Sequence, residues 1–147
     1  MTKLETIKVK LNIATKEDAN YIDNKIVEFN ARTVPFTQVK PLININYVLK
    51  DNDGSIIGGI TTTLYCWKVL YINVLWIDEP FQKQGYGSHL LDKVETEAKK
   101  LGCSLAHLDT FDFQAKDFYL KHGYEVFGVL DDCPPGHKEY FMKKKLS

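Results

Sequence analysis

The chain has 147 residues, which suits one domain with a sizeable buried core. Its 19 basic and 19 acidic residues cancel to a formal charge of zero, so there is no cationic excess of the kind a general nucleic-acid binder needs. Hydrophobic content of 44% and charged content of 26% are ordinary for a soluble globular protein, and no apolar run approaches the ~18 residues of a membrane span.

In chain order, the opening MTKLETIKVK is charged throughout and lacks the apolar segment of a signal peptide. Ile7 to Ala14 alternates apolar and polar residues, which predicts a strand with one wet face. Thr15 then predicts a helix cap, with Asp18 completing a variant capping box. The helix carries Ala19, Ile22, Ile26, Val27 and Phe29. Asn30 to Pro41 is polar, holds two prolines and reads as a loop. Leu42 to Leu49 predicts a strand, Asp51–Asn52–Asp53–Gly54 a hairpin turn, and Ser55 to Leu64 its partner. Gly58 and Gly59 inside that partner suggest a bulge or a close backbone approach. Tyr65, Cys66 and Trp67 form the next turn.

Tyr71 to Ile77 is an apolar, β-branched and aromatic run that predicts a buried central strand. Asp78, Glu79 and Pro80 stop it. Gln82, Lys83, Gln84, Gly85, Tyr86 and Gly87 form a polar turn, and a helix follows from about Ser88 to Lys100. Its apolar positions Leu90, Leu91, Val94 and Ala98 fall at helical spacing. Strand, glycine turn and helix start together make an anion site, because the first helical N–H groups lack internal partners and carry positive potential. The spacing Gln-x-x-Gly-x-Gly fits neither the Walker pattern nor the dinucleotide pattern. A tight strand-to-helix turn without a ligand is the other reading of the same residues. Past Leu101–Gly102, Ser104 to Asp109 predicts a strand parallel to the central one, since a crossover helix joins them. A short helix from Gln114 to Leu120 and strands at Tyr124 to Leu130 and Lys138 to Lys145 complete the chain. The expected fold is one α/β (α+β) domain over residues 1–147, with a mixed, mostly antiparallel sheet and helices on both faces.

Two segments resemble the GNAT (Gcn5-related) N-acetyltransferase family. Gln82-x-x-Gly85-x-Gly87 after a central strand resembles the family's pyrophosphate loop, Arg/Gln-x-x-Gly-x-Gly/Ala. Ala115–Lys116–Asp117–Phe118–Tyr119–Leu120–Lys121–His122–Gly123–Tyr124 resembles its Ala-x-x-x-Tyr-x-Lys-x-Gly-Phe/Tyr segment, in register with the first. The resemblance runs over most of the chain, from about Lys8 to Leu146. It implies that the two parallel strands splay apart near Leu75–Ile77 and Leu105–Asp109. It also implies acetyl-coenzyme A as cosubstrate, with the pantetheine arm on the backbone of Trp76 and Ile77. The pyrophosphate would lie against Gln82, Lys83, Gln84, Gly85, Tyr86, Gly87 and Ser88. Tyr119 takes the place of the family's tyrosine acid. The family often has Asn where this chain has Asp112, and Gln114 is the candidate to supply the missing amide. Without the ligand, Lys83 would be a solvated lysine and the Trp76 and Ile77 side chains plain core.

The implied reaction is direct transfer of an acetyl group to a primary amine, on a small molecule or an exposed peptide. A free alkyl amine has a pKa of ~10.4, so a proton must leave first. The place where some members carry a base glutamate holds Tyr71. The candidate base is Asp109, at the end of the second splayed strand, with His107 beside it on the same strand face and Asp112 and Glu79 as further carboxylates. Asp109 as a turn cap and His107 as a structural histidine are the bland alternatives. Arg32, Phe36 and Gln38 are candidates to touch the acceptor. Cys66, Cys103 and Cys133 are odd in number and widely spaced, which predicts reduced thiols in a cytoplasmic chain; none sits where the resemblance places the thioester, so no acyl-enzyme is expected. His89, His107, His122 and His137 lack ligand spacing, so no metal is expected. No nucleic-acid or membrane partner is expected; a homodimer is, because family members often form one. A non-catalytic acyl-coenzyme A sensor is the alternative function.

Overall fold

The structure is a computed structural model that describes residues 8–147. By compactness the chain divides into units of residues 1–36 and 37–147. The first unit holds helix α1, Lys16–Thr33. Its start follows the sequence: the Thr15 hydroxyl accepts from the Asp18 amide at 3.1 Å, and the Asp18 carboxylate accepts from the Thr15 amide at 2.9 Å. The helix outruns its expected end at Asn30. The polar residues there do not break it, and the Thr33 hydroxyl donates back to the Phe29 carbonyl. The strand expected at Ile7 to Ala14 is corrected. Ile7 lies outside the described residues, and Lys8 to Ala14 forms no strand. Alternation marks a wet face only where a partner supplies the ladder, and none of the described ladders includes this segment.

The second unit is a seven-stranded mixed sheet with helices. Its strands are β1 Leu42–Asn44, β2 Tyr47–Lys50, β3 Ile56–Tyr65, β4 Val69–Ile77, β5 Leu105–Phe111, β6 Glu125–Asp131 and β7 Lys138–Lys145. The order is β1-β3-β4-β5-β7-β6, with β2 also on β3. Only β4 and β5 are parallel among the described ladders, joined by helix α2, Tyr86–Lys100. Helix α3, Lys116–Lys121, precedes β6. The core gathers Ile60, Leu64, Leu70, Ile72, Leu91, Val94, Ala98, Ala106, Leu108 and Met142 between the sheet and α2.

Three local expectations change. The single strand expected over Leu42 to Leu49 is two. Asn46 interrupts it, because its side-chain oxygen accepts from the Thr62 amide while the Thr62 hydroxyl donates to the Ile45 carbonyl. The central strand is not buried to its end: Val74 and Trp76 are 56% and 49% exposed. The Asp78–Pro80 stop is a short 3-10 helix, Glu79–Phe81. The paired glycines behave as expected. A Cβ on Gly58 would meet the Trp76 carbonyl oxygen at 3.0 Å, and one on Gly59 the Tyr47 carbonyl oxygen at 2.9 Å, so both sites admit only close backbone approach.

Candidate active site

The parallel ladder is short. It pairs Val69 with Leu105, Leu70 with Ala106 and Tyr71 with His107, and then ends. Beyond this point β4 runs on along β3 alone, and β5 along β7. Asn73 is a bulge at the parting point, with Thr61 opposite Val74 and Thr62 opposite Ile72. The strands diverge into a cleft of about 1070 Å³. One wall is β4 from Ile72 to Ile77, the other β5 from Asp109, and the mouth is closed by the glycine turn and α3. An open strand edge beside a cleft offers main-chain donors and acceptors to an extended ligand.

The glycine turn wraps an uncapped helix start. Gly85 is the N-cap of α2 with φ of 86°, and no side chain caps the helix start. The first turn of α2 has no acidic residue. Lys83 also takes a left-handed φ of 63°, so the two left-handed residues flank Gln84 and bend the turn around the helix axis. Lys83, Lys116 and Lys121 line the same cleft. These features fit a phosphate ligand. Not every side chain expected here is free to hold one. The Gln82 amide donates to the Ile77 carbonyl at 3.0 Å, and the Gln84 amide to the Pro80 carbonyl at 3.3 Å. Both brace the turn. The two glycines differ. A Cβ on Gly85 would meet nothing, whereas one on Gly87 would lie 3.3 Å from the Phe118 ring. Gly87 therefore lets α3 close on α2. The Ser88 hydroxyl hydrogen-bonds the His122 ring at 2.9 Å across that contact.

Tyr119 is 5% exposed, more buried than Phe118, which packs partly inward as well. Its ring meets Tyr124 edge-on at 5.6 Å, and the Tyr124 hydroxyl donates to buried Glu95 at 2.8 Å. Lys144 pairs with the same carboxylate at 2.7 Å. The Tyr119 hydroxyl has no hydrogen-bond partner among the described residues. No sealed side-chain oxygen there lacks one, so this hydroxyl opens into the cleft that Tyr119 lines. Burial pushes its pKa up to about 12. Gln114 braces the loop before α3: its side-chain oxygen accepts from the Phe111 amide at 2.9 Å. Asp112 is turned to β7, accepting from His137 at 2.9 Å and from the Lys138 amide at 3.0 Å. Desolvation opposes these bonds, but they win and hold the Asp112 carboxyl below its ordinary value.

Asp109 and His107 share a sheet face but not a role. Asp109 lines the cleft and accepts a hydrogen bond from the Tyr71 hydroxyl. His107 is not part of the lining. It bonds the Tyr65 hydroxyl at 2.8 Å and packs on the Tyr71 ring at 5.0 Å, and desolvation lowers its pKa against the pull of Asp109. Burial first, then the bond to Asp109, pushes Tyr71 up to about 12. Glu79 and the cysteines are absent from the cleft lining. Gln38 is structural: its amide donates to the Lys40 and Leu64 carbonyls and its oxygen accepts from the Lys68 amide. Arg32 and Phe36 belong to the first unit. Sequence reasoning missed Glu139, whose carboxyl is raised by a hydrogen bond with Asp109 and then by desolvation. Alternation places Glu139 on the face of Phe141, but only the β5–β7 register makes Phe141 the partner of Asp109, so no signal in the sequence pointed to it. No signal in the sequence pointed to the Ser88–His122 pair.

A family model, the acetyltransferase (GNAT) family, matches residues 20–124. The chain belongs to the acetyltransferase (GNAT) family. It is 31% identical over 117 residues to a blasticidin-S acetyltransferase of Streptomyces morookaense, covering 78% of this chain and 85% of that one. An acetyltransferase of Bacillus cereus solved by crystallography superposes with a TM-score of 0.86 at 40% identity, over 95% of this chain and 99% of that one. A protein assigned as a streptothricin acetyltransferase, from Bacillus anthracis and bound to acetyl coenzyme A, shares the fold at a TM-score of 0.61 and 22% identity, covering 73% of this chain and 64% of that one. The two motifs singled out from the sequence thus belong to a GNAT fold. Among the described residues no helix is long and apolar enough to cross a membrane, and no cluster of metal-ligating side chains occurs.

Proposed function

We propose that this GNAT protein transfers the acetyl group of acetyl-coenzyme A directly to a primary amine of a small molecule. The observation that carries the reading is the parting of β4 and β5 into a cleft with an uncapped helix start at one end and a free tyrosine hydroxyl in its wall. The relative whose name specifies blasticidin S favours a small-molecule amine over a peptide amine. The family match bridges both units, which supports one acetyltransferase domain over residues 1–147. A cytoplasmic homodimer completes the proposal.

In this reading the amides of Gly85, Tyr86, Gly87 and Ser88 hold the pyrophosphate, with Lys83 adding charge. The open edge of β4 at Trp76 and Ile77 bonds the pantetheine arm, and an N–H of that edge donates to the oxyanion. Gln82, Gln84 and Gln114 act as braces of the turns rather than as direct ligands. Asp109 takes one proton from the arriving ammonium group. The neutral nitrogen then attacks the thioester carbon. The C–N bond forms and the C–S bond breaks. The second nitrogen proton ends on sulfur, to which the Tyr119 hydroxyl donates a hydrogen bond. With a pKa of about 12 against ~8.5 for a thiol, Tyr119 stays protonated and stabilises the thiolate by a hydrogen bond rather than by losing its proton. The products are the N-acetylated amine, free coenzyme A and one proton, which leaves through Asp109.

Incubating the protein with acetyl-coenzyme A and a panel of amines, with thiol release as readout, tests this. Amine-dependent release with a mass increment of one acetyl group is expected. Tight coenzyme binding without release on any amine would overturn catalysis and make the chain an acyl-coenzyme A sensor.

A further inference from the structure

We infer that His122 is a coenzyme-binding residue: it takes up a proton as the coenzyme's diphosphate seats on the start of α2, and so turns the Ser88 hydroxyl towards that diphosphate. The inference rests on the reading of the cleft as an acetyl-coenzyme A site, and because it concerns binding it is tested without any acceptor amine.

The seam between α2 and α3 sets the pair. His122 is the C-cap of α3, four residues after Phe118, so the two share a face. That face meets two consecutive residues of α2. A Cβ on Gly87 would lie 3.3 Å from the Phe118 ring, and Ser88 Oγ lies 2.9 Å from His122 Nε2. The Phe118 ring packs on the His122 ring at 4.6 Å and holds it in place. Ser88 and His122 both line the cleft. The first helical bond of α2 runs from the His89 amide to the Gly85 carbonyl at 3.1 Å, so the Ser88 amide is left for another acceptor. The helix start is not alone in pointing to a ligand. The hydroxyl of Tyr119, which is 5% exposed and has no partner among the described residues, opens into the same cleft.

Ser88 has one hydroxyl proton and two uses for it. With Nε2 bare, the hydroxyl donates to the ring and offers the cleft only lone pairs, which repel a phosphate oxygen. With Nε2 protonated, the ring donates to Oγ and the hydroxyl proton turns to the phosphate. The bond to Ser88 is the ring's only hydrogen bond among the described residues, so no other partner fixes which nitrogen carries hydrogen. An anion bonded to Ser88 is two hydrogen bonds from the ring, within the ~4–6 Å over which an opposite charge favours the charged form. An imidazole changes charge close to neutral pH, so a proton is available to it there. That proton supplies the Nε2 donor and a positive charge together, which a change of tautomer would not.

The charged groups around His122 leave it free for this. On α2, helical spacing puts Asp92 and Glu95 on the side of Ser88; Asp92 is exposed, and Glu95 is held by Tyr124 and Lys144. From β7, the Lys144 chain lies over Gly123. On α3, Lys116, Asp117 and Lys121 line the cleft, as Lys83 does from the glycine turn. None of the described ion pairs includes His122.

Calorimetry of coenzyme A binding, in buffers of different ionisation enthalpy, counts the protons taken up. At about pH 7 the parent is expected to take up about half a proton more per coenzyme than His122→Gln, whose amide can still reach Ser88 but does not titrate. The comparison cancels the titration of the coenzyme's own phosphate monoester, near pH ~6. Binding that takes up a proton weakens as protons become scarce. From about pH 6 to about pH 8 the parent's affinity should therefore fall about three- to ten-fold more than the variant's. Histidine NMR of the parent gives the same test without a substitution: the His122 ring should move towards the imidazolium form when coenzyme A is added at about pH 7. Equal proton uptake by parent and variant, or a His122 ring that stays neutral with coenzyme bound, would overturn the inference and leave coenzyme binding standing. A parent that binds no coenzyme A would overturn the acetyl-coenzyme A reading of the cleft and the inference with it.

Discussion

Strands β4 and β5 are one pair with two unlike halves. In the first half they share a ladder, and Leu70 and Ala106, both 0% exposed, are sealed beneath α2. In the second half each strand keeps only its outer partner, and Val74 and Trp76 face open space. On β4 both halves are mostly apolar, so composition alone does not mark where the pairing ends. The Asn73 bulge does. It adds one residue to β4 against β3 and turns the strand out of phase with β5. One run of apolar sequence serves as core and as open strand edge, and the boundary is a change of pairing rather than of residue type.

The largest effect that would test this contrast is on stability. Leu70→Ala in the paired half should cost about 2–5 kcal/mol by urea denaturation, because the sealed site cannot collapse around the missing methyls. Trp76→Ala in the parted half should cost less than about 1 kcal/mol, since half of its surface is already in water. The order of effects on coenzyme affinity should be the reverse. Equal destabilisation by the two substitutions would mean that the second half is core as well.

The next effect is on rate. Tyr119→Phe keeps the ring against Tyr124 and removes only the hydroxyl that meets the cleft. The kcat should fall ~10²-fold or more with coenzyme affinity near that of the parent, the range expected for a hydroxyl positioned to hydrogen-bond the leaving thiolate. Stability should hardly change, because the hydroxyl bonds no described residue. A variant with nearly full kcat would make Tyr119 a packing residue of the sealed half, however it borders the cleft.

The two halves were not equally legible in the sequence. The sealed half was: Leu90, Leu91, Val94 and Ala98 at helical spacing and the crossover to β5 follow from periodicity and connection rules alone. The glycine turn before α2 was legible as a turn into a helix start because glycine spacing and a helix start have a local cause. What sequence could not reach depends on register. Glu139 meets Asp109 only through the β5–β7 ladder, and Asn46 breaks a strand only because Thr62 lies opposite. Gly87 shows the same limit. The resemblance sets it against the pyrophosphate, while in the fold its missing Cβ makes room for the Phe118 ring of α3. Alternation over Lys8 to Ala14 misled for the same reason in reverse, a pattern without a partner.

The smallest effect concerns Lys83, which sits at the end of the parted half and holds a left-handed backbone without being glycine. For an ordinary side chain that conformation costs about 1–2 kcal/mol, and glycine gives back roughly 0.5–1 of it through its larger unfolded-state entropy. Lys83→Gly should therefore leave stability unchanged or raise it by up to about 1 kcal/mol. Lys83→Ala keeps the conformational cost and should leave stability where the parent has it. Both remove the same charge beside the uncapped start of α2, where an exposed cation contributes about 0.3–1 kcal/mol to holding an anion. Both should weaken coenzyme A binding two- to five-fold at low ionic strength, by about the same factor, and the deficit should shrink as salt is added. Calorimetry at two salt concentrations, beside urea melts, separates backbone from charge. Affinity equal to the parent in both variants would make Lys83 a solvated turn residue and leave the cradle to its amides alone. A loss in Ala but not in Gly would point to the shape of the turn, not the ammonium group, as what the phosphate requires.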